Sequence, residues 1–356
     1  MALGRVLGVI APVSATCVEV GDVVRSLFGR VVNEMIAEDH WSRAYPTAMM
    51  SVVVAVATFL ACFTRRATPG WLPAGEAHVL ITGGSEGLGK ELGRALVKRG
   101  RRVSLVARTR AKLDAAVADL GGGCKVAGIA GDVTDSAAMD AAVRDAEAAL
   151  GRIDAVICCA GGARTGLFDD VSADEFARQM DLNYLGVVRA LKAALPGMKA
   201  RGRGSAVLVS SGLALCGYAG YSAYAPTKWA VRGLAEVLRS ELLPANIGVF
   251  SVYPPNMDTP GFALENATKP KCTKAIEEGE PTHDPRAVAE SILDALDRGR
   301  FNICCGDFGI GLLARAANGL SVRSTLLADV FTLPIIALVG CAYRRAWDRT
   351  VLKAGA

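Results

Sequence analysis

Tyr224 and Lys228 are the residues of this sequence whose types and spacing best suit acid–base chemistry. They stand four positions apart in Tyr-Ala-Pro-Thr-Lys, and on a helix this spacing puts the phenol and the ammonium on one face. A nearby positive charge favours the phenolate, which lowers the pKa of the tyrosine and fits it to donate or accept a proton. The pair predicts a proton-transfer step, although the same spacing also arises by chance.

Two polar residues earlier in the chain strengthen this prediction. Ser211 ends the apolar run 205–211, where its hydroxyl could hydrogen-bond a substrate carbonyl, with Ser210 as the less favoured alternative. Asn183 lies on a predicted helix over 174–198 and could anchor a water molecule in the proton path. The predicted catalytic set is Asn183, Ser211, Tyr224 and Lys228.

A glycine-rich turn at 82–89 connects the first predicted strand to a helix. Gly83, Gly87 and Gly89 allow the backbone to turn tightly and to approach a pyrophosphate at the helix N-terminus. A tight turn without a ligand is the alternative, but the strand–turn–helix context favours dinucleotide binding. The predicted cofactor contacts in this turn are Gly83, Ser85, Glu86, Gly87, Leu88 and Gly89.

The residues after the second predicted strand favour NADPH over NADH. An NAD-binding protein usually carries Asp or Glu here for the ribose 2′-hydroxyl, whereas Arg108 can pair with the 2′-phosphate of NADPH. Arg110 and Lys112 are supporting candidates. Asp132, after the third predicted strand, is placed to accept a hydrogen bond from the adenine amino group, with a helix N-cap as its alternative role.

These residues need a scaffold that brings the ends of several strands together. Short apolar runs alternate with Ala-rich helical stretches between 76 and about 300, which predicts parallel strands covered by helices on both faces. We expect an α/β fold with a doubly wound parallel sheet of the Rossmann type. The predicted strands are 78–82, 102–107, 153–160, 205–211 and 248–253, and the predicted helices are 90–100, 137–150 and 174–198.

Composition excludes several other classes of protein. The chain has 356 residues, 51% of them hydrophobic and 21% charged, which excludes disorder for most of it. The net charge of +5 is scattered and aromatic residues make up 6%, so we expect no nucleic-acid partner. The three histidines are not spaced as metal ligands, and we expect no metal. The ten cysteines include no C-x-x-C and predict free thiols in a reducing compartment.

The mean hydropathy of +0.31 indicates that part of the chain lies in lipid. Residues 45–63 carry no charge and as a helix would span roughly 28 Å, enough for a thin bilayer. Arg65 and Arg66 follow them, so the positive-inside rule puts the later residues in the cytosol. The apolar tail allows a second span, a re-entrant hairpin, a helix on the membrane surface or a dimerisation helix.

Four regions are therefore predicted along the chain. The first, 1–44, is a segment whose structure the sequence leaves open, and it is followed by a transmembrane anchor at 45–66. The Rossmann domain occupies 76–303, and an apolar membrane-associated region occupies 304–356.

The motif T-G-x-x-x-G-x-G, followed by Asn183, Ser211 and Tyr224-x-x-x-Lys228 in this order and spacing, resembles the short-chain dehydrogenases/reductases. The resemblance covers about 76 to 300 and implies a seven-stranded parallel sheet and a possible homo-oligomer. It implies that Tyr224 is the general acid/base, that Lys228 binds the nicotinamide ribose and that Ser211 polarises the reacting carbonyl. The further cofactor contacts that it implies are Val133, Ala160, Gly161, Met257 and Thr259.

Three features depart from the pattern of that family. Cys158 and Cys159 replace the usual Asn-Asn, so a strand-bridging amide is lost. Pro226 falls between the tyrosine and the lysine, which is tolerable only in the first helical turn. Glu86 stands where a small or basic residue would suit phosphates better, so its carboxylate must point away from the 2′-phosphate or weaken NADPH binding.

Residues 253–270, Tyr-Pro-Pro-Asn-Met-Asp-Thr-Pro-Gly-Phe-Ala-Leu-Glu-Asn-Ala-Thr-Lys-Pro, closely resemble a segment of the 3-ketodihydrosphingosine reductases. That resemblance implies reduction of the 3-keto group of a long-chain sphingoid ketone with NADPH, at the cytosolic face of the endoplasmic reticulum membrane. The enzymatic alternatives are steroid, retinoid and 3-ketoacyl-CoA reductases. The alternative from another class is a catalytically silent NADP-binding scaffold. Residues 259–283 lie where such enzymes carry a substrate lid, and Phe262, Ala263 and Leu264 could line the path of the chain.

Overall fold

Seven strands form one parallel sheet at the centre of the protein, whose computed structural model describes residues 71–73, 75–317 and 326–354. The strands are β1 His78–Thr82, β2 Arg102–Ala107, β3 Val126–Ala130, β4 Ala155–Cys158, β5 Gly204–Val209, β6 Ile247–Val252 and β7 Asn302–Ile303. They are arranged in the order β3-β2-β1-β4-β5-β6-β7, and every pairing is parallel. The predicted doubly wound Rossmann fold is confirmed.

The order of the strands reverses at β1, which lies between β2 and β4. Thr82, the last residue of β1, pairs with Val106 on one side and with Cys158 on the other. From this point the chain winds outward in both directions, so a crevice opens at the carboxyl ends of β1 and β4. Ligands of open α/β sheets bind in such a crevice.

The central strands are apolar on both faces because helices cover both sides of the sheet. Every residue of β1, β4 and β6 is buried. Two strands end earlier than predicted: β4 ends at Cys158 rather than at 160, and β5 at Val209 rather than at 211. The backbone leaves the sheet at these points, so the polar and small residues that follow lie in loops at the crevice.

Helices pack on both faces of the sheet. They are α1 Gly87–Lys98, α2 Arg110–Asp119, α3 Ser136–Leu150, α4 Ala173–Met180, α5 Gly186–Arg201, α6 Ala225–Glu241, α7 Pro260–Ala267, α8 Lys271–Ile276, α9 Pro285–Asp297, α10 Phe308–Ala316 and α11 Leu326–Ala354. One core lies under α1, α2 and α9, and the other lies under α3, α5 and α6. Leu92 and Ile292 are fully buried in the first, Met139 and Val231 in the second.

The single helix predicted over 174–198 is interrupted. A π-helical turn, Asp181–Leu185, separates α4 from α5. This wider turn places Asn183 on the inside, where its side chain hydrogen-bonds the backbone of Gly162. A strict α-helical period gives no room for such a turn, and π-helical turns are often found at functional sites.

The C-terminal helix α11 packs on the loop after β5. The ring of Trp347 lies 5.2 Å from that of Tyr218, centroid to centroid. The guanidinium of Arg344 donates a hydrogen bond of 2.9 Å to the carbonyl of Gly217. The tail predicted to be membrane-associated therefore also forms a wall of the domain beside the crevice.

The predicted N-terminal segment at 1–44 and the predicted anchor at 45–66 lie outside the described residues. Within the described ranges, no helix is both long enough and apolar enough to cross a membrane.

Candidate active site

Tyr224 and Lys228 lie at the start of α6, on the side that faces the crevice. Pro226 occupies the first turn of this helix, where its missing N–H costs no hydrogen bond, as predicted. The Nζ of Lys228 lies 5.7 Å from the centroid of the Tyr224 ring and donates a 3.1 Å hydrogen bond to the carbonyl of Val209. Burial lowers the pKa of Lys228 to about 8.

The pKa of Tyr224 is raised rather than lowered, contrary to our expectation from the spacing. Burial is the largest cause, followed by the negative charge of Glu265, and a hydrogen bond with Ser211 opposes both. Removal from water disfavours the phenolate by more than the hydrogen bond favours it. The tyrosine is therefore held protonated, which is the state that a proton donor requires.

The two neighbouring serines have different partners. The hydroxyl of Ser210 donates a 2.8 Å hydrogen bond to the carbonyl of Lys228 and so fixes the start of α6 against β5. Ser211 accepts a hydrogen bond of 3.2 Å from the backbone N–H of Leu213 and also hydrogen-bonds Tyr224. The geometry favours Ser211 as the serine beside the reacting group.

Asn183 is fully buried behind the crevice. Its Oδ1 accepts from the N–H of Gly162 at 2.9 Å, and its Nδ2 donates to the carbonyl of Gly162 and to Gln179. A Cβ on Gly161 would lie 2.8 Å from this Oδ1 and 3.4 Å from the Nζ of Lys228. Asn183 and Lys228 therefore meet at Gly161, although both amide hydrogens of the asparagine are already used.

The glycine-rich turn forms a cradle at the N-terminus of α1. Gly89 has no room for a side chain, since a Cβ there would lie 2.2 Å from the carbonyl oxygen of Gly83. Gly83 adopts φ of +70°, and a Cβ there would lie 2.8 Å from the Cα of Ala160. Glu86, the N-cap residue, makes no capping hydrogen bond with its side chain. The first N–H groups of α1 are thus left for an anion.

The basic residues after β2 differ in whether their side chains are free to bind a phosphate. Arg108 is exposed, and its guanidinium makes no hydrogen bond or ion pair with any residue that the structure describes. Arg110 forms an ion pair of 2.9 Å with Asp114, which turns it along α2. Lys112 lies 2.7 Å from Glu86 across the cradle. Arg108 therefore remains the strongest candidate for the 2′-phosphate.

Asp132 is the predicted cofactor residue that the structure supports least. Its Oδ1 accepts hydrogen bonds from the N–H and the hydroxyl of Thr134, at 2.9 and 2.8 Å. Burial raises the pKa of Asp132, but these two bonds outweigh it and the pKa is lowered overall. Asp132 does not cap the next helix either, because Asp135 is the N-cap of α3.

Cys158 and Cys159 replace the Asn-Asn whose side-chain amide would bridge two strands, and another residue makes a bridge at this point. The hydroxyl oxygen of Thr82, at the end of β1, accepts hydrogen bonds from the N–H groups of Cys159 and Ala160, at 3.1 and 3.2 Å. These bonds connect the ends of β1 and β4 at the crevice. The sequence pattern does not predict this role of Thr82, because its partners lie 77 and 78 positions further along the chain.

The crevice is one continuous cavity of about 1470 Å³. This exceeds the roughly 300–1,000 Å³ that is usual for one ligand, so a dinucleotide leaves room for a second molecule. Of the predicted catalytic set and the main cofactor candidates, Asn183 and Asp132 do not line it, and neither does the supporting candidate Arg110. The predicted residues that line it are Gly83, Ser85, Glu86, Gly87, Leu88, Gly89, Arg108, Lys112, Val133, Ala160, Gly161, Ser211, Tyr224, Lys228, Met257 and Thr259.

Four side chains of the cavity wall were not among the predicted site residues, although two of them lie in the segment 259–283 that was expected to form a substrate lid. Glu265 and Glu277 line the side contributed by α7 and α8, and Tyr218 and Trp347 line the side contributed by α11 and the loop beneath it. The four-residue spacing of Glu265, on α7, and Lys269, just after its end, is the one local signal that could have indicated a buried ion pair.

Comparison with known proteins agrees with this geometry. A family model described as short chain dehydrogenase matches residues 77–270, which include the glycine cradle and the Tyr224–Lys228 pair. The chain belongs to the short-chain dehydrogenase family. The predicted resemblance is confirmed.

Curated relatives of this short-chain dehydrogenase share about a third of its residues. A 3-dehydrosphinganine reductase of Danio rerio is 35% identical over 85% of this chain and 93% of its own length. A 3-ketodihydrosphingosine reductase of Bos taurus is 36% identical over 78% of this chain and 86% of its own. A 3-ketodihydrosphingosine reductase of Dictyostelium discoideum is 36% identical over 78% of this chain and 88% of its own length.

Solved structures similar to this dehydrogenase share its sheet. An actinorhodin polyketide ketoreductase with NADPH superposes with a TM-score of 0.60 and 25% identity, over 65% of this chain and 97% of that one. A 3-ketoacyl-(acyl-carrier-protein) reductase from Brucella melitensis, complexed with NADH, superposes with a TM-score of 0.58 and 23% identity, over 65% of this chain and 97% of that one. At this identity the second shows the fold alone.

Proposed function

We propose that the protein reduces the keto group of 3-ketosphinganine to a hydroxyl with NADPH. The observation that carries this proposal is the single cavity that joins the glycine cradle, the Tyr224 hydroxyl and an apolar branch. The relatives described as 3-ketodihydrosphingosine and 3-dehydrosphinganine reductases match most of this chain, which supports the same substrate.

The residues of the cradle fit a phosphorylated dinucleotide. Gly83 and Gly89 leave the space that a Cβ would fill, and the N-terminus of α1 offers uncapped N–H groups to a pyrophosphate. Arg108 would pair with the 2′-phosphate, and Met257 and Thr259 would lie near the nicotinamide carboxamide. When bound, NADPH supplies the hydride for the keto carbon.

The protein's own residues supply the proton and the electrostatic stabilisation. Tyr224, held protonated by burial, donates its proton to the oxygen of the substrate as negative charge develops there. Ser211 hydrogen-bonds the same oxygen and, with Tyr224, stabilises it. Lys228 holds a positive charge 5.7 Å from the tyrosine ring and binds the nicotinamide ribose. Asn183, through a water molecule, and Lys228 return a proton to the tyrosine.

The apolar branch of the cavity suits a long alkyl chain. Phe262 of α7, Ile310 and Leu313 of α10, and Ile336 and Val339 of α11 line it. Of the three residues expected on the chain path, only Phe262 lines the cavity, because Ala263 and Leu264 are on the outer side of α7. Phe262 is therefore the residue of this segment that we assign to the path.

We also propose that the branch opens towards a lipid bilayer at the cytosolic face of the endoplasmic reticulum. Large apolar side chains at 308, 338 and 264 are 80%, 75% and 74% exposed, and they lie on the helices around the branch. Exposed apolar surface of this kind favours a membrane or a protein partner. A homo-oligomer is a second use that we propose for exposed apolar surface, here that of α6, where Val237 is 54% exposed.

The test is NADPH oxidation by the detergent-solubilised protein, offered 3-ketosphinganine beside a steroid ketone and a 3-ketoacyl-CoA. We expect selective turnover of 3-ketosphinganine, and a Tyr224→Phe variant should be slower by at least about 10²-fold, the lower range for loss of general acid catalysis. Tyr184→Phe, outside the cavity, is the matched control and should keep normal turnover. Selective turnover of a different ketone would contradict the substrate, and a fully active Tyr224→Phe would contradict the mechanism.

A further inference from the structure

A buried carboxylate lines the cavity near Tyr224 and has no part in the proton transfer described above. The side chain of Glu265 is 16% exposed, and its Oε1 lies 3.3 Å from the Nζ of Lys269. The same oxygen accepts a 2.5 Å hydrogen bond from the hydroxyl of Tyr221. The Tyr221 and Tyr224 rings are 6.1 Å apart, centroid to centroid. Tyr221 therefore contacts both this carboxylate and the ring of the catalytic tyrosine, and Glu265 and Tyr224 line the same cavity.

The charges around Glu265 do not balance. Lys269, whose side chain is 2% exposed, pairs more closely with Glu277, at 2.6 Å. The other oxygen of Glu277 accepts from the hydroxyl of Tyr218 and lies 2.7 Å from that of Tyr221, whose single hydrogen is shared between Glu265 and Glu277. Two buried carboxylates share one ammonium. No described residue donates a hydrogen bond to Oε2 of Glu265.

The excess negative charge acts against the reaction unless a cation offsets it. Burial raises the pKa of Glu265, because an ionised carboxylate is costly away from water. Burial and, after it, the charge of Glu265 also raise the pKa of Tyr224, which makes the tyrosine a weaker proton donor. A positive charge next to Oε2 would stabilise the ionised carboxylate and make the phenol more acidic.

We propose that Glu265 binds the ammonium group of a 2-amino ketone substrate and makes the site selective for the free amine. This inference rests on the proposed function, since 3-ketosphinganine carries its amine on the carbon next to the keto carbon. Because Glu265 and Tyr224 line the same cavity, a substrate whose keto oxygen meets Tyr224 can direct that ammonium to Glu265. An N-acylated or amine-free ketone has no charge to offer and leaves the carboxylate unpaired.

Lys269 and Glu277 act as positioning residues in this arrangement. Lys269, in the link between α7 and α8, lies 4.3 Å from the centroid of the Phe262 ring and pairs with Glu265 of α7 and with Glu277 at the end of α8. Glu265 is thereby held at the cavity wall, and the phenol of Tyr221 fixes one of its oxygens.

The test compares 3-ketosphinganine with 1-hydroxyoctadecan-3-one, which has the same chain and keto group but no amine. A Glu265→Gln variant keeps the size of the side chain and an oxygen for the Tyr221 hydroxyl. We expect kcat/KM for the amino ketone to fall by about 10- to 100-fold, the range for a lost hydrogen bond to a charged group. For the amine-free ketone kcat/KM should stay the same or rise. Glu278→Gln, a carboxylate outside the cavity, is the control and should change neither value.

Product binding provides a second measurement that does not depend on turnover. The Kd of the NADP⁺-loaded protein for sphinganine should rise about 10-fold or more in Glu265→Gln, whereas that for octadecane-1,3-diol should not. An equal loss for both substrates, or an unchanged Kd for sphinganine, would overturn the assignment of Glu265. Wild-type protein that reduces the amine-free ketone but no 2-amino ketone would instead overturn the proposed function, and the inference with it.

Discussion

Replacement of Lys228 by methionine should stabilise the fold while it removes activity. The ammonium of Lys228 is buried, and burial lowers its pKa from the usual 10.5 to about 8. At about 1.4 kcal/mol for each pH unit, the charged lysine costs the folded state about 3 kcal/mol. The variant loses the hydrogen bond to Val209, worth about 1 kcal/mol, so the net gain near neutral pH is about 2 kcal/mol.

The sign of the pH dependence follows from the direction of the shift. Because the folded-state pKa of Lys228 lies below that of the unfolded chain, the unfolded state binds more protons between about pH 8 and 10.5. The free energy of unfolding of the wild type should therefore rise with pH across this window, relative to that of Lys228→Met. The advantage of the variant is full below about pH 8 and disappears near 10.5.

Urea unfolding near pH 7 and near pH 10 measures this difference, and NADPH oxidation measures the loss of turnover, which we expect to be about 10²-fold or more. Lys192→Met, on the exposed side of α5, is the matched control and should change the free energy of unfolding by less than about 0.5 kcal/mol at either pH. A Lys228→Met protein that is less stable than the wild type near pH 7 would refute the reasoning, because the buried charge would then be compensated.

Two further predictions concern the cofactor cradle. Gly89→Ala should destabilise the fold by about 1–3 kcal/mol and weaken NADPH binding, because its Cβ would lie 2.2 Å from the carbonyl oxygen of Gly83. Gly233→Ala lies at an exposed position of α6, where the added Cβ meets no atom within 4 Å outside its own helix, and should instead stabilise the fold by about 0.5–1 kcal/mol. Thermal melts with and without NADPH distinguish the two variants. Glu86→Gln should release Lys112 for the 2′-phosphate and lower the KM for NADPH by up to about 5-fold, the range for exposed ion pairs, without changing that for NADH. An equal change for both cofactors would show that Glu86 acts on the shared part of the dinucleotide.

Local sequence patterns predicted the fold and most of the residues that line the cradle end of the cavity. Runs of apolar residues predicted the strands, such as β1, which is buried throughout, and the helical period of apolar residues predicted the helices between them. The glycines of the cradle and the Tyr224–Lys228 spacing were also recognisable, because each depends on residues a few positions apart. For the same reason, the place of Pro226 in the first helical turn was predictable.

The sequence predicted less well where a position depends on distant partners. The π-helical turn around Asn183 exists because its side chain reaches Gly162, and the helical period carries no sign of that contact. The direction of the pKa shift of Tyr224 was wrong, because burial is a property of the assembled domain. Asp132, expected at the adenine, has its Oδ1 engaged by the N–H and hydroxyl of Thr134, a contact that the sequence pattern does not show.

The sequence by itself determined that this protein has a Rossmann sheet, a glycine-rich turn after its first strand and a Tyr–Lys pair on one helix face, since hydrophobic period, glycine positions and helical spacing are local properties. Only the tertiary structure decided which groups surround that pair. It brought Thr82 to the N–H groups after β4, Ser211 to Tyr224, and Glu265 to Tyr221, although each partner lies on a different element. Contacts between elements depend on how the helices pack against the sheet, and that packing sets the burial, the charge balance and the shape of the cavity.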